Sequence, residues 1–212
     1  MTVSDTERLA ESKTRRKGET TREMILDGAV ELAARVGLEG LSIGVLADRA
    51  AMSKSGLFAH FRSKEDLQLA TLHRASEVFR LRVLGPSIEY ARGLGQLRAL
   101  FDNWISSMKD GTDHASSGTL LIASTTEFDD RPGLVRGAIV EGQRALRGAI
   151  AKIVRSAIDS GELAGNVDPW QIAFELHGIV LAAYHEMRLL NDHRAEHRAR
   201  VAFERLVRDN QG

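Results

Sequence analysis

The scarcity of helix-breaking residues is the feature that most restricts how this chain can fold. Proline occurs at only three positions in 212 residues, Pro86, Pro132 and Pro169. Proline interrupts helices, and the stretches between these positions contain few of the polar and apolar alternations that strands require. Residues 119–126 could form a strand or a helix by pattern, and we predict a helix because a single strand would have no partner for its backbone. Long helices can therefore run between the prolines. We predict an all-α fold of about nine helices.

Side chains that can cap helices set the predicted boundaries. Thr20 and Glu23 form a capping box ahead of an apolar run that Gly37 ends. Asp168 and Pro169 mark another start, with Gln171 as the box partner of Asp168. The predicted helices span residues 20–36, 42–50, 53–61, 63–84, 94–108, 119–126, 132–161, 168–190 and 194–207.

Basic residues are concentrated near the front of a chain whose total charge is balanced, with 29 Lys and Arg against 29 Asp and Glu. Residues 49–64 contain no acid, and their bases are Arg49, Lys54, Arg62 and Lys64. Lys13, Arg15, Arg16 and Lys17 crowd into a segment that we expect to form a flexible arm over residues 1–18. A local basic surface can bind nucleic acid by releasing counterions, although a solvated helix face is the plainer interpretation of charge alone.

The spacing of the helix-capping serines favours the interpretation of this basic segment as a nucleic-acid-binding surface. Two short helices, capped by Ser42 and Ser53 and joined by a tight turn at Ala51 and Met52, match a helix-turn-helix. Ser63 can cap the longer helix that follows. The second helix of that motif enters the major groove by its N-terminal end, where this chain has small and basic residues. These are Ser53, Lys54, Ser55 and Gly56.

The same stretch resembles the DNA-binding signature of TetR-type transcriptional regulators. The resemblance covers about residues 20–67 and rests on Ser42, Ile43, Leu46, Ala47, Ala50, Ser53, Lys54, Ser55, Gly56, Leu57, Phe58, His60, Phe61, Ser63, Lys64, Glu65 and Leu67. It implies a three-helix DNA-binding domain at residues 19–66 and a larger helical domain for ligand binding and dimerisation at residues 67–212. Ala51 and Phe58 depart from the family, which usually has Gly and Tyr at these positions.

The resemblance and the basic arm together give a set of candidate DNA-binding residues. They are Arg15, Arg16, Lys17, Thr20, Arg22, Ser42, Ser53, Lys54, Ser55, Gly56, Phe58, His60 and Lys64. The partner that they imply is a double-stranded DNA operator.

Bulky apolar residues with scattered polar groups in the second half suggest a small-molecule site. The candidates are Phe101, Trp104, Met108, Thr119, Thr125, Phe128, His177 and Tyr184. An ordinary helical core has the same composition, so the site depends mainly on the resemblance. Excess apolar residues on the last two helices, such as Trp170 and Phe174, indicate burial against a second copy of the chain.

An enzymatic alternative comes from His193, Glu196 and His197, which form the H-x-x-E-H pattern of inverted zinc peptidases. A solvated helix face explains these residues more simply, and we predict neither a metal nor a cofactor. Cysteine is absent, which excludes thiolate metal sites and disulfides and fits a reducing cytoplasm. The polar start of the sequence and its short apolar runs predict neither export nor a membrane span.

The sequence therefore predicts a DNA-binding transcriptional regulator that is not an enzyme. In the favoured interpretation it is a homodimeric repressor that a small, largely apolar effector releases from its operator. A constitutive helix-turn-helix binder without ligand response is the alternative.

Overall fold

A computed structural model describes residues 21–90, 92–109 and 115–212 of the chain. Within those ranges the fold is helical throughout, with nine helices of five or more residues, which confirms the all-α prediction. The elements are α1 over residues 21–36, α2 Ile43–Ala50, α3 Lys54–Phe58, α4 Lys64–Phe79 with a π-helical continuation Arg80–Leu84, a single turn α5 Gly85–Ser87, α6 Leu94–Ser106, α7 Ala115–Glu127, α8 Leu134–Asp159, α9 Pro169–Arg188 and α10 Ala195–Arg208.

Two apolar clusters hold these helices together. The first lies among α1 to α4 and centres on Leu46, Leu57 and Phe61, and α7 and the start of α8 also contribute to it. The second joins α6, α8, α9 and α10 around the buried Trp104. Leu121 of α7 packs against both clusters, so the front helices and the rest of the molecule share an apolar contact. None of the described helices is both long and apolar enough to cross a bilayer.

The serine caps predicted for α2, α3 and α4 are all present. Ser42 Oγ accepts from Val45 N at 3.3 Å, Ser53 Oγ from Gly56 N at 3.1 Å and Ser63 Oγ from Asp66 N at 3.0 Å. These bonds satisfy backbone N–H groups that the first turn of a helix leaves without partners.

Two boundaries and one capping contact differ clearly from the prediction. Helix α7 begins at Ala115 and not at residue 119. Helix α3 ends at Phe58 and not near Phe61, because the N–H groups of His60 and Phe61 both return to Leu57 O and turn the Phe61 ring into the core. Gln171 is not the box partner of Asp168. Its Nε2 donates to Glu175 Oε1 at 2.8 Å, one turn further along the helix.

The long helix predicted to reach Leu84 is interrupted near its end. It is α-helical as far as Phe79 and then widens into the π-helical segment, in which Gly85 N donates to Arg80 O. Pro86 has no N–H to offer the carbonyl four residues back, and the helix widens in the turn before it. This segment forms part of the wall of the cavity described below.

Ala51 adopts the left-handed conformation that the tight turn requires, with φ 50° and ψ 37°. An L-residue with a Cβ pays a steric penalty there that glycine avoids. We expect Ala51→Gly to raise the free energy of unfolding by about 1 kcal/mol, measured by urea denaturation. Ala59→Gly is the matched control, because Ala59 is right-handed and should show no gain. If Ala51→Gly and Ala59→Gly change the free energy of unfolding equally, the left-handed conformation of Ala51 carries no steric penalty.

Candidate nucleic-acid interface and ligand cavity

Helices α2 and α3 pack as a helix-turn-helix whose second helix presents its first turn to solvent. Leu57 faces the core, whereas Lys54, Ser55 and Phe58 are exposed. The Phe58 side chain is 55% exposed. The exposed face therefore combines a positive charge, a hydroxyl and an aromatic ring.

Gly56 has a local reason to be glycine in addition to close approach to DNA. A Cβ at this position would lie 3.2 Å from Ser53 Oγ, the atom that caps α3. Ser53 Oγ also lies 3.1 Å from Ser55 Oγ, so the two hydroxyls are linked. A larger residue would press on this cap at the end of the helix that is predicted to meet the groove.

Two of the four bases in residues 49–64 form ion pairs with acidic side chains. Arg49 pairs with Glu31 at 2.8 Å, and Lys64 pairs with Glu39 at 2.7 Å. The hydrogen bond from Lys64 lowers the pKa of Glu39 below its usual value. Lys54 and Arg62 form no ion pair within the described part of the chain, which leaves their charges available to phosphate.

The other candidate DNA-binding residues lie around this face or outside the described ranges. Ser42 caps α2, and the half-buried His60 lies next to Phe61 with a ring distance of 6.3 Å. The guanidinium of Arg22 lies 5.2 Å from the centre of the Phe61 ring. The predicted arm, with Arg15, Arg16 and Lys17, and also Thr20 lie outside the residues that the structure describes.

A cavity of about 240 Å³ lies between α4, α6, α7, α8 and α9. Its exposed lining residues mark the opening: His73, Ser76 and Arg80 on one side, Gly142 and Ala145 of α8 on the other. Buried residues form the floor, among them Phe79, Trp104 and Ile122. The lining is mostly apolar, with polar groups mainly at the opening, as in many small-molecule sites.

Two of the eight predicted ligand residues line this cavity. They are Trp104 and His177, whose rings stack with centroids 5.8 Å apart. The Phe79 ring meets Trp104 edge-on at 5.4 Å. Burial first, and then the charge of Arg147, lowers the pKa of His177, so this imidazole is neutral at pH 7 and can both donate and accept a hydrogen bond.

The other six predicted residues lie elsewhere. Thr125 and Phe128 line a neighbouring hollow, and Phe101 stacks on Phe203 of α10 at 4.2 Å. Met108 and Thr119 are buried outside the cavity lining, and Tyr184 packs on the C-terminal core. The structure therefore brings Trp104 and His177 together at the cavity but not Phe101, Met108, Thr119 or Tyr184.

Sequence reasoning missed most of the α4 and α8 walls. On α8 the small residues Ala138, Gly142 and Ala145 recur at intervals of four and three and leave room between the helices. That spacing was a readable signal. The contribution of Arg80 and Leu84 had no such signal, because it depends on the π-helical segment.

The H-x-x-E-H residues do not converge on a metal. Glu196 binds Lys109 at 2.9 Å and Arg200 at 3.1 Å, and the hydrogen bond from Lys109 is the main reason why its pKa is lowered. In the described ranges no three His, Cys, Asp or Glu side chains are grouped so that they could hold a metal ion. The glutamate therefore has a structural role in joining α10 to the turn after α6.

Two family models match the chain and between them cover both clusters of helices. Residues 25–71 match the model described as bacterial regulatory proteins of the tetR family, and residues 93–203 match the tetracyclin repressor-like C-terminal domain. The second match alone spans more than half of the chain. The chain belongs to the TetR family. It is thus a DNA-binding transcriptional regulator, and no enzyme is indicated among its relatives.

Individual relatives agree with the TetR assignment. The HTH-type transcriptional regulator SrpR of Pseudomonas putida is 22% identical over 184 residues, which are 87% of this chain and 83% of that protein. A TetR transcriptional regulator from Chloroflexus aurantiacus J-10-FL has a TM-score of 0.79 at 24% identity, covering 91% of this chain and 95% of that one. AibR, in complex with isovaleryl coenzyme A and operator DNA, has a TM-score of 0.66 at 26% identity, covering 86% and 98%.

Proposed function

We propose that this TetR-family regulator is a homodimeric repressor that leaves its operator when a small, largely apolar molecule occupies the cavity. In this proposal residues 1–18 form a basic arm, residues 19–66 bind DNA, and residues 67–212 bind the effector and the second protomer. The observation that carries the proposal is that two walls of the cavity, α4 and α7, are also the helices that hold the helix-turn-helix in place.

The contact between α7 and the front helices is both polar and apolar. The Glu127 carboxylate, at the end of α7, accepts from Leu38 N at 2.8 Å and from Glu39 N at 2.9 Å. Leu121, six residues earlier, lines the cavity and packs on both apolar clusters. A ligand that displaces α7 would therefore also displace the turn between α1 and α2.

The exposed face of α9 supports the dimer. Trp170 and Phe174 are 55% and 61% exposed, and they lie one turn apart with Leu181 on the same side. Large apolar side chains that are adjacent and exposed are typical of a surface that a partner covers. A symmetric pair would place two α3 helices about 34 Å apart, the spacing of successive major-groove faces.

In this proposal the effector changes the relative populations of two protomer spacings of the dimer. An effector that binds more tightly to a protomer spacing unsuited to DNA than to the fitting one favours release, by as much as its two affinities differ. AibR, whose fold is similar, forms a complex with isovaleryl coenzyme A and operator DNA, which supports a small-molecule site and a DNA site in this chain but not the direction of the response.

The effector role of the cavity can be tested by filling it from its opening. Gly142 lines the opening, and a Cβ there meets no atom within 4 Å, so Gly142→Phe should fold normally and narrow the cavity. We expect this variant to bind operator DNA like the unaltered protein but to need at least ~10-fold more effector for release, about 1.4 kcal/mol. Operator and effector are first found by selection from a random DNA pool and a release screen.

Gly137→Phe is the matched control, because Gly137 is also an exposed α8 glycine with open space beside it but lies outside the cavity lining. It should keep the normal effector response. If Gly142→Phe responds to the effector like Gly137→Phe, the effector binds elsewhere. If no compound releases the protein in the screen, the chain is a constitutive binder.

A further inference from the structure

A hollow rich in arginine adjoins the cavity. Its polar lining consists of Thr125, Asp129, Arg136, Gln143, Arg144 and Arg147. Arg136, Gln143, Arg144 and Arg147 recur along one face of α8 at helical spacing, and the two other residues come from the end of α7 and the turn after it. The side chains therefore face one space and not several unrelated patches of surface.

The charge of this hollow is positive and uncompensated. Among the described residues, no ion pair joins Arg136, Arg144 or Arg147 to an acidic side chain. Arg136 Nε donates to the backbone oxygen of Asp129 at 2.8 Å, and the Asp129 carboxylate accepts from Asp130 N at 2.9 Å. Three guanidinium groups thus face one carboxylate that is engaged elsewhere.

Arg147 is the member of the set that most needs a partner. Its side chain is half-buried, and its Nε is sealed from solvent without a hydrogen-bond acceptor. A buried donor of a charged group that lacks an acceptor is costly, and natural structures keep few of them. An anion in the hollow would compensate the charge of Arg147, and its sealed Nε could donate to that anion after a small movement of the side chain.

The hollow and the effector cavity are continuous enough for one ligand to enter both. Ile139 and Gln143 belong to the lining of each. Arg147 also lies near enough to His177, on the cavity wall, for its charge to act on that imidazole. A molecule with an apolar body in the cavity could therefore extend a short polar end past Gln143.

We infer that the effector is an amphipathic anion, whose apolar body occupies the cavity and whose carboxylate or phosphate binds Arg144 and Arg147 in the hollow. This inference rests on the proposed effector site and narrows the class of effector to apolar acids and their phosphorylated counterparts. Guanidinium groups suit both heads, because their planar donors pair with two oxygens at once.

The test compares three compounds with the same apolar chain and different heads: decanol, decanoate and decyl phosphate. Binding to the full-length protein is measured by isothermal titration calorimetry at low and high salt. We expect the two anions to bind roughly 10-fold to 100-fold more tightly than decanol, with the advantage shrinking as salt rises. Comparison of decanoate with decyl phosphate identifies the preferred head.

Variants of the hollow test whether its arginines cause the tighter binding of the two anions. Arg147→Gln and Arg144→Gln should each reduce the preference for anions while leaving decanol affinity unchanged, and Arg147→Lys should restore part of it. Arg155→Gln is the matched control, because Arg155 is an exposed arginine two turns further along α8 and outside the hollow. It should change none of the three affinities.

Three other patterns of affinity would contradict the inferred anion site, and each has a different meaning. Equal affinity for the three compounds, or a preference that survives the Arg144→Gln and Arg147→Gln double variant, removes the anion site but leaves the apolar effector cavity in place. Failure of all three compounds to bind removes both the anion site and the cavity as a receptor for linear apolar chains. Loss of decanol binding in Arg147→Gln would show that Arg147 supports the cavity and does not select a head group.

Discussion

A variant with Trp170→Glu and Phe174→Glu is expected to be a monomer that binds a full operator about 100-fold or more weakly than the unaltered protein. Both side chains are exposed on α9, so the isolated protomer should keep its fold. Two glutamates in the middle of an apolar contact would bring like charges of the two protomers together without water around them. The surface that the proposed dimer buries would therefore no longer associate.

The loss of operator affinity follows from the loss of the second contact. In a dimer, binding of one α3 helix holds the other near its half-site at a high effective concentration, and a monomer has no such advantage. Analytical ultracentrifugation gives the mass, and fluorescence anisotropy gives the affinities for a full operator and for a single half-site. The variant and the unaltered protein should differ much less on the half-site.

Two exposed apolar residues outside α9 provide the control for this experiment. Ile88 and Leu134 are 71% and 65% exposed. Replacing both with glutamate adds the same charge without touching the α9 face, and dimer mass and operator affinity should be unchanged. A Trp170→Glu and Phe174→Glu protein that remains dimeric would show that α9 is not the interface.

Replacing Glu127 with alanine is expected to lower the free energy of unfolding by about 2 kcal/mol and to weaken the coupling between effector and DNA. The Glu127 carboxylate holds the N–H groups of Leu38 and Glu39, and Leu38 is fully buried. Without that carboxylate, at least one buried donor loses its acceptor. Urea denaturation measures the stability, and effector-induced release from operator DNA measures the coupling.

Thr126→Ala is the control, because Thr126 is the exposed neighbour of Glu127 on α7 and should change neither quantity. Gly37→Ala provides a second approach to the same contact. Gly37 has φ +80°, and a Cβ there would lie 2.7 Å from Glu127 Oε1, so this change should destabilise the protein through both strain and displacement of the carboxylate. If Glu127→Ala has full stability and a normal effector response, α7 does not transmit the signal through this contact.

The parts of the fold that depend on local chemistry were predictable from the sequence. A serine hydroxyl and the N–H three residues later are close in any helix start, so Ser42, Ser53 and Ser63 could be assigned as caps without knowing the tertiary structure. The left-handed conformation of Ala51 agrees with the glycine that the TetR-type signature usually has at this position. The predicted end of α3 was wrong. The helix ends where it does because Phe61 is buried in the core, and that burial is a tertiary effect.

The lining of the cavity was harder to predict because it comes from helices far apart in the sequence. Phe101 and Trp104 lie on the same helix, yet Phe101 faces α10 and Trp104 faces the cavity. The choice between them depends on which neighbours pack against α6. A list of apolar residues at helical spacing does not contain that information, so the two kinds of position look alike in the sequence.

The π-helical segment Arg80–Leu84 has a consequence for how this protein can change over evolution. A π turn holds one more residue than the α-helical turn that it replaces, and each residue turns a helix by about 100°. Deleting a single amino acid from this segment would restore a regular helix and rotate everything before or after it by that angle. Arg80 and Leu84 could then no longer both face the cavity. A one-residue insertion or deletion at this point would therefore reshape the cavity wall and also turn α1 to α4 relative to the helices that follow.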